Sequence, residues 1–126
     1  MDIYREKLLD HYNNPRNFGL LVDADAIIKL ENISCGDSIS LAVKVEKGVI
    51  TDAKFEGEGC AVAIASASIL TEYVIGKTVN EVKSIDLERL QELLGIQLTL
   101  SRIKCANLSL ETLQKALKII VENKQI

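Results

Sequence analysis

Two runs of alternating residues limit the folds open to this chain more than any other feature. The run 39–45 reads ISLAVKV and the run 49–55 reads VITDAKF. In both runs the odd-numbered residues can share one largely apolar face, which is typical of strands that bury a single side. The pattern therefore predicts two strands of a sheet with one face in the core.

The short segment between these two runs predicts a hairpin. Residues 46–48 read Glu-Lys-Gly, which fits a three-residue loop with the glycine in a left-handed conformation. Such a loop places Val45 opposite Val49 and, further along, Ile39 opposite Phe55. This register gathers the apolar residues of both strands on one face.

Helical spacing and capping residues account for most of the remaining chain. We predict an amphipathic helix over 2–12, which Pro15 and Gly19 end, and a third strand over 26–33. A helix should follow Cys60 and end at Gly76, and a short helix should begin with a Thr78–Glu81 capping box. We predict one further helix that Asp86 caps and that ends near Gly95, and a last helix over about 101–123. The buried stripe of the last helix is predicted to contain Ile103, Leu110, Leu113, Leu117 and Ile120. The predicted fold class is α+β: one domain over residues 1–126, with a small three-stranded antiparallel sheet covered on one face by helices.

The bulk composition disfavours several kinds of partner. Hydrophobic residues make up 48% and charged residues 26% of the chain, as in ordinary globular proteins. The formal charge is −3 and Lys and Arg form no run that could follow phosphates, so we expect no nucleic-acid partner. The amino terminus is charged and no long apolar block is present, so we expect no membrane partner and a cytoplasmic location.

The three cysteines fall at the predicted ends of strands and helices. Cys35 lies between the first two strands, two positions before Asp37; Cys60 precedes a helix; Cys105 lies at or near the start of the last helix. Side chains from distant parts of the sequence can meet at such ends, and the glycines at 36, 57 and 59 allow a close approach of the backbone. A helix amino terminus also favours a thiolate, which we expect at Cys60 and at Cys105.

Three thiolates and one carboxylate can bind zinc in four-coordination, or hold iron. Arg102 and Lys104, which flank Cys105, could offset the negative charge of such a site. The spacing matches no short zinc-finger pattern, and buried cysteines serve packing more often than metal binding, so the residues alone leave both interpretations open. Asp37 could equally be a turn residue. We interpret His11, the only histidine, as structural or as facing a partner, with contact to the metal as the less favoured alternative.

Several stretches together resemble one known family. The segments DHYNNPRNFG, SCGD, DAKFEGEGCAVAIASAS, GKTV and RIKCANLS occur in this order. They are similar to the corresponding stretches of the IscU/SufU/NifU-amino-terminal family of iron–sulfur cluster assembly proteins, and the similarity runs nearly end to end. Each cysteine matches a family cysteine, and Asp37 matches the aspartate after the first of them.

The resemblance implies a scaffold that accepts sulfur from a cysteine desulfurase, with Cys35 as the candidate persulfide acceptor. A transient iron–sulfur cluster of the [2Fe–2S] type would form on Cys35, Asp37, Cys60 and Cys105 and pass to an acceptor or carrier protein. In the isolated protein the same residues would hold zinc. Thiolates are soft ligands for both metals and nucleophiles toward a persulfide, whereas an aspartate is a harder ligand that could be released during transfer.

The sequence also departs from the family pattern. Lys104 stands before the third cysteine, where IscU-type members commonly have a histidine, and RIKCA is similar to SufU-type members. The interval between Cys60 and Cys105 is nevertheless too short for the insertion that SufU-type members usually carry. The Leu-Pro-Pro-Val-Lys motif that engages a dedicated Hsp70 chaperone is replaced by GIQLTLSRIK, so the sequence does not support that partnership.

Three functions are compatible with these residues. The first is a non-enzymatic cluster assembly scaffold that accepts sulfur from the desulfurase. The second is a zinc-dependent sulfurtransferase, in which Cys35 beside Gly36 leaves the metal to take the persulfide. The third is a structural zinc module for protein interaction, which would need metal to fold although a chain of this length should not. A thiol oxidoreductase is disfavoured because no Cys-x-x-Cys pair is present.

Overall fold

The computed structural model describes residues 3–33, 36–95 and 98–124, without the side chains of residues 3, 4, 101 and 124. In chain order its elements are α1 (Ile3–Asn13), β1 (Ala26–Asn32), β2 (Asp37–Glu46), β3 (Val49–Glu58), α2 (Ala61–Val74), α3 (Val79–Lys83), α4 (Leu87–Leu94) and α5 (Leu100–Lys124). Each of these elements corresponds to a predicted one, with bounds that differ by a few residues.

The three strands form one antiparallel sheet in the order β1-β2-β3. On one face of the central strand Ile39, Leu41 and Val43 are fully buried, and α2 and α5 both pack against the sheet. On the other face of the same strand Ser38 and Ser40 are half-buried. The predicted α+β fold, with a small sheet covered on one face by helices, is confirmed.

The hairpin between β2 and β3 has a different register from the predicted one. Its loop contains two residues, Lys47 and Gly48, with φ of 53° and 77°. Glu46 therefore lies opposite Val49. Two consecutive residues of positive φ are characteristic of the type I′ turn, whose twist matches that of the flanking strands. The predicted three-residue loop is wrong because Lys47 also takes the left-handed conformation.

A β-bulge beside the turn shifts the register once more. Val45 pairs with Ile50, but Lys44 pairs with Asp52, so that Thr51 is an extra residue on β3. Further along, Leu41 lies opposite Phe55 and Ile39 opposite Gly57. The predicted pairings of Val45 with Val49 and of Ile39 with Phe55 are therefore wrong.

The bulge has a clear packing consequence. Ile50 and Ala53 both have no exposed surface, whereas Thr51 is exposed. A regular strand would place Ile50 and Ala53 on opposite faces, because successive side chains alternate. The extra residue allows both side chains to enter the core, and the burial of Ile50 explains why the regular alternation is interrupted.

The predicted helix ends are present. Thr78 and Glu81 form a reciprocal capping box at the start of α3, and Asp86 accepts a hydrogen bond from the first turn of α4. Gly95 ends α4 with φ of 79°, and Gly76 follows α2 with φ of 93°. Backbone groups at helix ends need such partners, so these residues determine where each helix begins and ends.

The last helix is long and mostly buried along one side. Leu110, Leu113, Leu117 and Ile120 of the predicted stripe are buried, and Ile103 is half-buried. Among the described residues, no helix is both long and apolar enough to cross a membrane.

Buried polar contacts attach α1 to α2. The Nδ1 atom of His11 lies 2.7 Å from Oγ of Ser68, and the backbone N–H of Arg16 donates to the same oxygen at 2.8 Å. His11 is 5% exposed, and Leu8, one turn earlier, is also buried. The interpretation of His11 as a structural residue therefore agrees with its contacts.

The turn geometry predicts changes of opposite sign in the free energy of unfolding for substitutions at Gly48 and Lys47. We expect Gly48→Val to lower the free energy of unfolding by about 1–2 kcal/mol, because a β-branched residue would be forced into the left-handed region. We expect Lys47→Asn to raise it by up to about 1 kcal/mol, because asparagine tolerates that region better than lysine. Urea denaturation of both variants and the wild type measures the difference. If Gly48→Val left the midpoint unchanged, the positive φ of Gly48 in the two-residue turn would be contradicted.

Candidate metal centre

The candidate site begins at Asp37, the first residue of β2. This side chain is 2% exposed, and its Oδ1 accepts a hydrogen bond of 3.0 Å from the backbone N–H of Cys60. The bond joins the start of β2 to the start of α2, which are far apart in sequence. It fixes the orientation of the carboxylate, because one of its two oxygens is held by a rigid backbone group.

The other carboxylate oxygen, Oδ2 of Asp37, is buried and accepts no hydrogen bond from any residue that the structure describes. A buried oxygen without a partner is costly and uncommon in native proteins. A cation bound at this oxygen would remove the cost. The orphaned oxygen therefore supports a positively charged ligand at this site.

Gly59 allows Asp37 to approach the amino end of α2. Its backbone has φ of 152°, and a Cβ atom placed there would lie 2.9 Å from Cγ of Asp37 and close to Oδ1. Any other residue would therefore push the carboxylate away or move the backbone. The predicted role of the glycine at position 59, a close approach of the backbone, is in agreement with this geometry.

Cys60 occupies the predicted position at the amino end of α2. It is the N-cap residue, with extended φ and ψ of −71° and 166°, and is half-buried. In the described part of the chain its side chain makes no capping hydrogen bond. The thiol is therefore not used to cap the helix and remains at the centre of the site.

Cys105 lies deeper in its helix than predicted. Because α5 begins at Leu100, Cys105 belongs to the second turn, and it is 3% exposed. The favourable field of a helix amino terminus falls off within the first turn. The predicted placement at a helix amino terminus is therefore found for Cys60 but not for Cys105.

The structure brings three of the four predicted ligands together. One carboxylate oxygen of Asp37 and the sulfur atoms of Cys60 and Cys105 all lie within 4.8 Å of one another. Ligand atoms around tetrahedral zinc are about 3.5–3.8 Å apart, given Zn–S and Zn–O bonds of about 2.3 and 2.0 Å. Small side-chain rotations would close this gap, so the donor set fits zinc.

Cys35, the fourth predicted ligand, lies outside the described residues. It precedes Asp37 by two positions, and the intervening Gly36 has φ of 71°. The membership of Cys35 in the site stays a prediction.

The other residues considered as ligands or charge partners are His11, Arg102 and Lys104. His11 is in contact with Ser68 between α1 and α2. Arg102 and Lys104 are exposed on α5. Lys104 lines a groove between the end of β1 and α5, together with Glu31 and Glu111. A charge-balancing role for the two cations stays a prediction.

One feature of the site was missed in the sequence, namely the hydrogen bond from the Cys60 backbone to Asp37. An aspartate at the start of a strand and a glycine before a helix are each common, and neither predicts the other. Only the pairing of β2 with β3, which places Ser38 opposite Glu58, brings the two segments together.

A helix-covered antiparallel sheet with a cysteine–aspartate cluster at one end defines a candidate metal-binding α+β protein. The family model described as the NifU-like N terminal domain matches residues 3–125. The chain belongs to this family.

The relatives include two kinds of protein. The chain is 38% identical over 130 residues to the zinc-dependent sulfurtransferase SufU of Bacillus subtilis (strain 168), which covers 90% of this chain and 88% of that protein. It is 40% identical over 134 residues to the iron–sulfur cluster assembly scaffold protein IscU of Thermotoga maritima, with 94% of each covered. It is also 44% identical over 117 residues to the IscU protein of Aquifex aeolicus, covering 91% of this chain and 74% of that one.

Solved structures have the same fold. A putative iron–sulfur cluster assembly scaffold protein for the SUF system from Fervidobacterium islandicum AW-1 matches with a TM-score of 0.76 at 28% identity, covering 89% of this chain and 94% of that one. The amino-terminal part of a nitrogen-fixing NifU-like protein from Brucella abortus matches with a TM-score of 0.81 at 23% identity, covering 95% of each chain. The similarity to the Brucella abortus structure, at this low sequence identity, supports the fold alone.

The close approach at Gly59 predicts a loss of metal affinity in Gly59→Ala. We expect zinc to bind at least about tenfold more weakly, as is usual when a residue that orients a ligand is changed. Competition with a chromophoric chelator measures the affinity.

Gly76→Ala is the matched control, since Gly76 also has positive φ but has no atom within 4 Å of an added Cβ. Both variants carry the backbone strain of a left-handed alanine, and only Gly59→Ala displaces Asp37. Equal zinc affinity in the two variants would contradict the role of Gly59.

Burial also gives a prediction for His11. It lowers the pKa of this histidine below its ordinary value of 6.5, the nearby Arg16 adds to the effect, and Glu72 and Asp10 oppose it. As the pH falls, His11 is protonated in the unfolded chain before it is protonated in the folded protein. The free energy of unfolding therefore falls as the pH drops below about 6.5, until the pKa of His11 in the folded protein is passed.

His11→Asn should reduce this pH dependence, because an amide near the position of Nδ1 can still bond to Ser68 but does not titrate. Urea denaturation of the variant and the wild type at several pH values between about 7.5 and about 5.5, one unit to either side of the ordinary histidine pKa, measures the two slopes. Identical slopes would contradict the assignment of this titration to His11.

Proposed function

We propose that this protein accepts sulfur from a cysteine desulfurase at the cysteine–aspartate site and assembles an iron–sulfur cluster there for transfer to an acceptor protein. The observation that carries the proposal is the convergence of Asp37, Cys60 and Cys105 within 4.8 Å. The family membership and the IscU scaffold relatives support the same function.

The four proposed ligands differ in chemical character. Cys60 and Cys105 supply soft thiolates, which suit iron and zinc. Asp37 supplies one hard oxygen, Oδ2, while its Oδ1 stays bonded to the backbone of Cys60. The carboxylate is therefore the ligand that binds a soft metal centre least strongly. Its Oδ1, bonded to the backbone of Cys60, keeps the carboxylate in place when the cluster is transferred.

Cys35 is the proposed acceptor of the sulfur. It stands beside Gly36, whose positive φ of 71° is a conformation that glycine adopts without strain. The Cys35 thiolate would attack the terminal sulfur of the desulfurase persulfide. A new S–S bond forms on Cys35, the S–S bond of the donor breaks, and the donor cysteine leaves as a thiolate, so no external oxidant or reductant is needed.

Anaerobic reconstitution tests the scaffold function. Wild-type protein incubated with ferrous iron, cysteine, a desulfurase and a thiol reductant, which reduces the delivered sulfur to sulfide, should develop the visible absorption of a cluster together with acid-labile sulfide. Cys35→Ser, Cys60→Ser and Cys105→Ser should each weaken this absorption, because each removes one thiolate ligand, whereas Lys83→Gln on the exposed side of α3 should not. A wild-type protein that formed no cluster and kept zinc tightly bound would contradict the scaffold function.

A second candidate is a zinc-dependent sulfurtransferase, in which the sulfur is relayed and no cluster is assembled. The relationship to SufU of Bacillus subtilis favours it, and so does Lys104, exposed on α5 before Cys105. Zinc bound by the three cysteines and Asp37 would hold the thiols as thiolates. Asp37 and Cys60 would keep the site assembled while Cys35 carries the sulfur.

Desulfurase turnover distinguishes the second candidate from the first. If the protein is a sulfurtransferase, the zinc-loaded form should accelerate cysteine turnover by the desulfurase, and Cys35→Ser should abolish the acceleration. The metal-free form should accelerate it less, although circular dichroism shows it folded. A turnover rate that is the same with and without the protein would contradict this candidate.

A further inference from the structure

A second concave site lies at the other end of α2 from the candidate metal centre. It has a volume of about 450 Å³ and lies between the end of α2, the segment after it, and the start of α4. We call it the Tyr73 pocket; the lining residues that matter are Tyr73, Lys77, Glu81, Asp86 and Arg89. Since α2 has 14 residues, its two ends are about 21 Å apart, and the pocket is separate from the metal centre.

Two cations converge on the aromatic ring of this pocket. Nζ of Lys77 lies 5.1 Å from the centre of the Tyr73 ring, and Cζ of Arg89 lies 5.8 Å from it. An Arg89 nitrogen also donates to the Tyr73 hydroxyl at 3.4 Å. Because the hydroxyl oxygen accepts this bond, its own hydrogen stays available as a donor.

The positive charge of Lys77 is not paired with a carboxylate of the described residues. Lys77 is half-buried, and within the described ranges no carboxylate oxygen lies within 4 Å of its ammonium group. Arg89 has one such partner, Glu92, at 2.9 Å. Arg89 also lies in the first turn of α4, where a cation is disfavoured by the helix dipole. Both residues line the same concave site, so an anion bound in it would meet two positively charged side chains.

The two acidic residues of the pocket are already engaged. Glu81 accepts a hydrogen bond of 2.9 Å from the backbone of Thr78, and Asp86 accepts one of 2.8 Å from the backbone of Arg89. Both carboxylates act as helix caps, where their charge is opposed by the helix dipole. Their negative charges therefore compensate the partial positive charges of the helix ends more than they compensate the charges of Lys77 and Arg89.

The backbone around the pocket is fixed. The carbonyl oxygen of Lys77 accepts a hydrogen bond of 2.9 Å from the N–H of Ile50. The N–H of Lys77 donates to the carbonyl oxygen of Val74 at 2.9 Å. Asp86 anchors Arg89 in the same way. A ligand would thus meet donors whose main chain is already ordered, which lowers the entropy cost of binding.

We propose that the Tyr73 pocket binds a phosphate-type dianion, either free or carried by a small phosphomonoester, through Lys77, Arg89 and the Tyr73 hydroxyl. Lys77 and Arg89 can both donate charge-assisted hydrogen bonds to phosphate oxygens, and such bonds are about twice as strong as those between neutral groups. The site is independent of sulfur transfer and of metal binding.

Titration of the full chain by two-dimensional amide NMR at about 0.15 M NaCl tests the proposal. Inorganic phosphate and glycerol phosphate are added separately. Saturable shifts confined to residues around the Tyr73 pocket are expected, and the tighter of the two ligands identifies the form that binds. Binding to anionic phospholipid vesicles without binding of either soluble phosphate would overturn the proposal, as would the absence of saturable shifts.

Variants distinguish a site from general charge attraction. Lys77→Gln and Arg89→Gln should each weaken phosphate binding by about tenfold, because each removes a hydrogen bond to a charged group. Tyr73→Phe keeps the ring, and hence the packing, and should weaken it less. Lys83→Gln, an exposed lysine outside the pocket, should have no effect, and zinc affinity should be unchanged in all four. Equal weakening by Lys83→Gln and Lys77→Gln would overturn the proposal.

Discussion

The hydrogen bond from the Cys60 backbone to Asp37 is the interaction on which the candidate metal centre depends. It joins the start of β2 to the start of α2 and holds one oxygen of a buried carboxylate at 3.0 Å. Only a glycine at position 59 leaves room for it. Oδ1 is engaged, whereas Oδ2 is buried and accepts no hydrogen bond from a described residue, so a cation at Oδ2 would compensate the cost of burying the carboxylate.

The parts of the fold that depend on local chemistry could be predicted from the sequence. The capping box of Thr78 and Glu81 and the cap at Asp86 use contacts within one turn, so the residues themselves contain the signal. The hairpin register could not be read in this way. It depends on Lys47 adopting a left-handed conformation and on the burial of Ile50 by helices distant in sequence.

The candidate site was predictable in its residues but not in its construction. The resemblance to a known family indicated the cysteines and Asp37, whereas their spacing alone did not distinguish ligands from packing. The depth of Cys105 in α5 and the tie between Asp37 and Cys60 are tertiary features. They follow from strand pairing and helix packing, for which a single sequence gives no direct signal. Cys35 lies outside the described residues, so its part in the site rests on its position in the sequence.

X-ray absorption at the zinc edge of the zinc-loaded protein tests the central claim most directly. Three thiolates and the carboxylate of Asp37 predict three sulfur neighbours at about 2.3 Å and one oxygen at about 2.0 Å. In Asp37→Ala the three sulfur distances should persist while the protein-derived oxygen is lost or replaced by water or another ligand. A first shell with fewer than three sulfur atoms, or one in which oxygen and nitrogen predominate, would contradict the proposed centre.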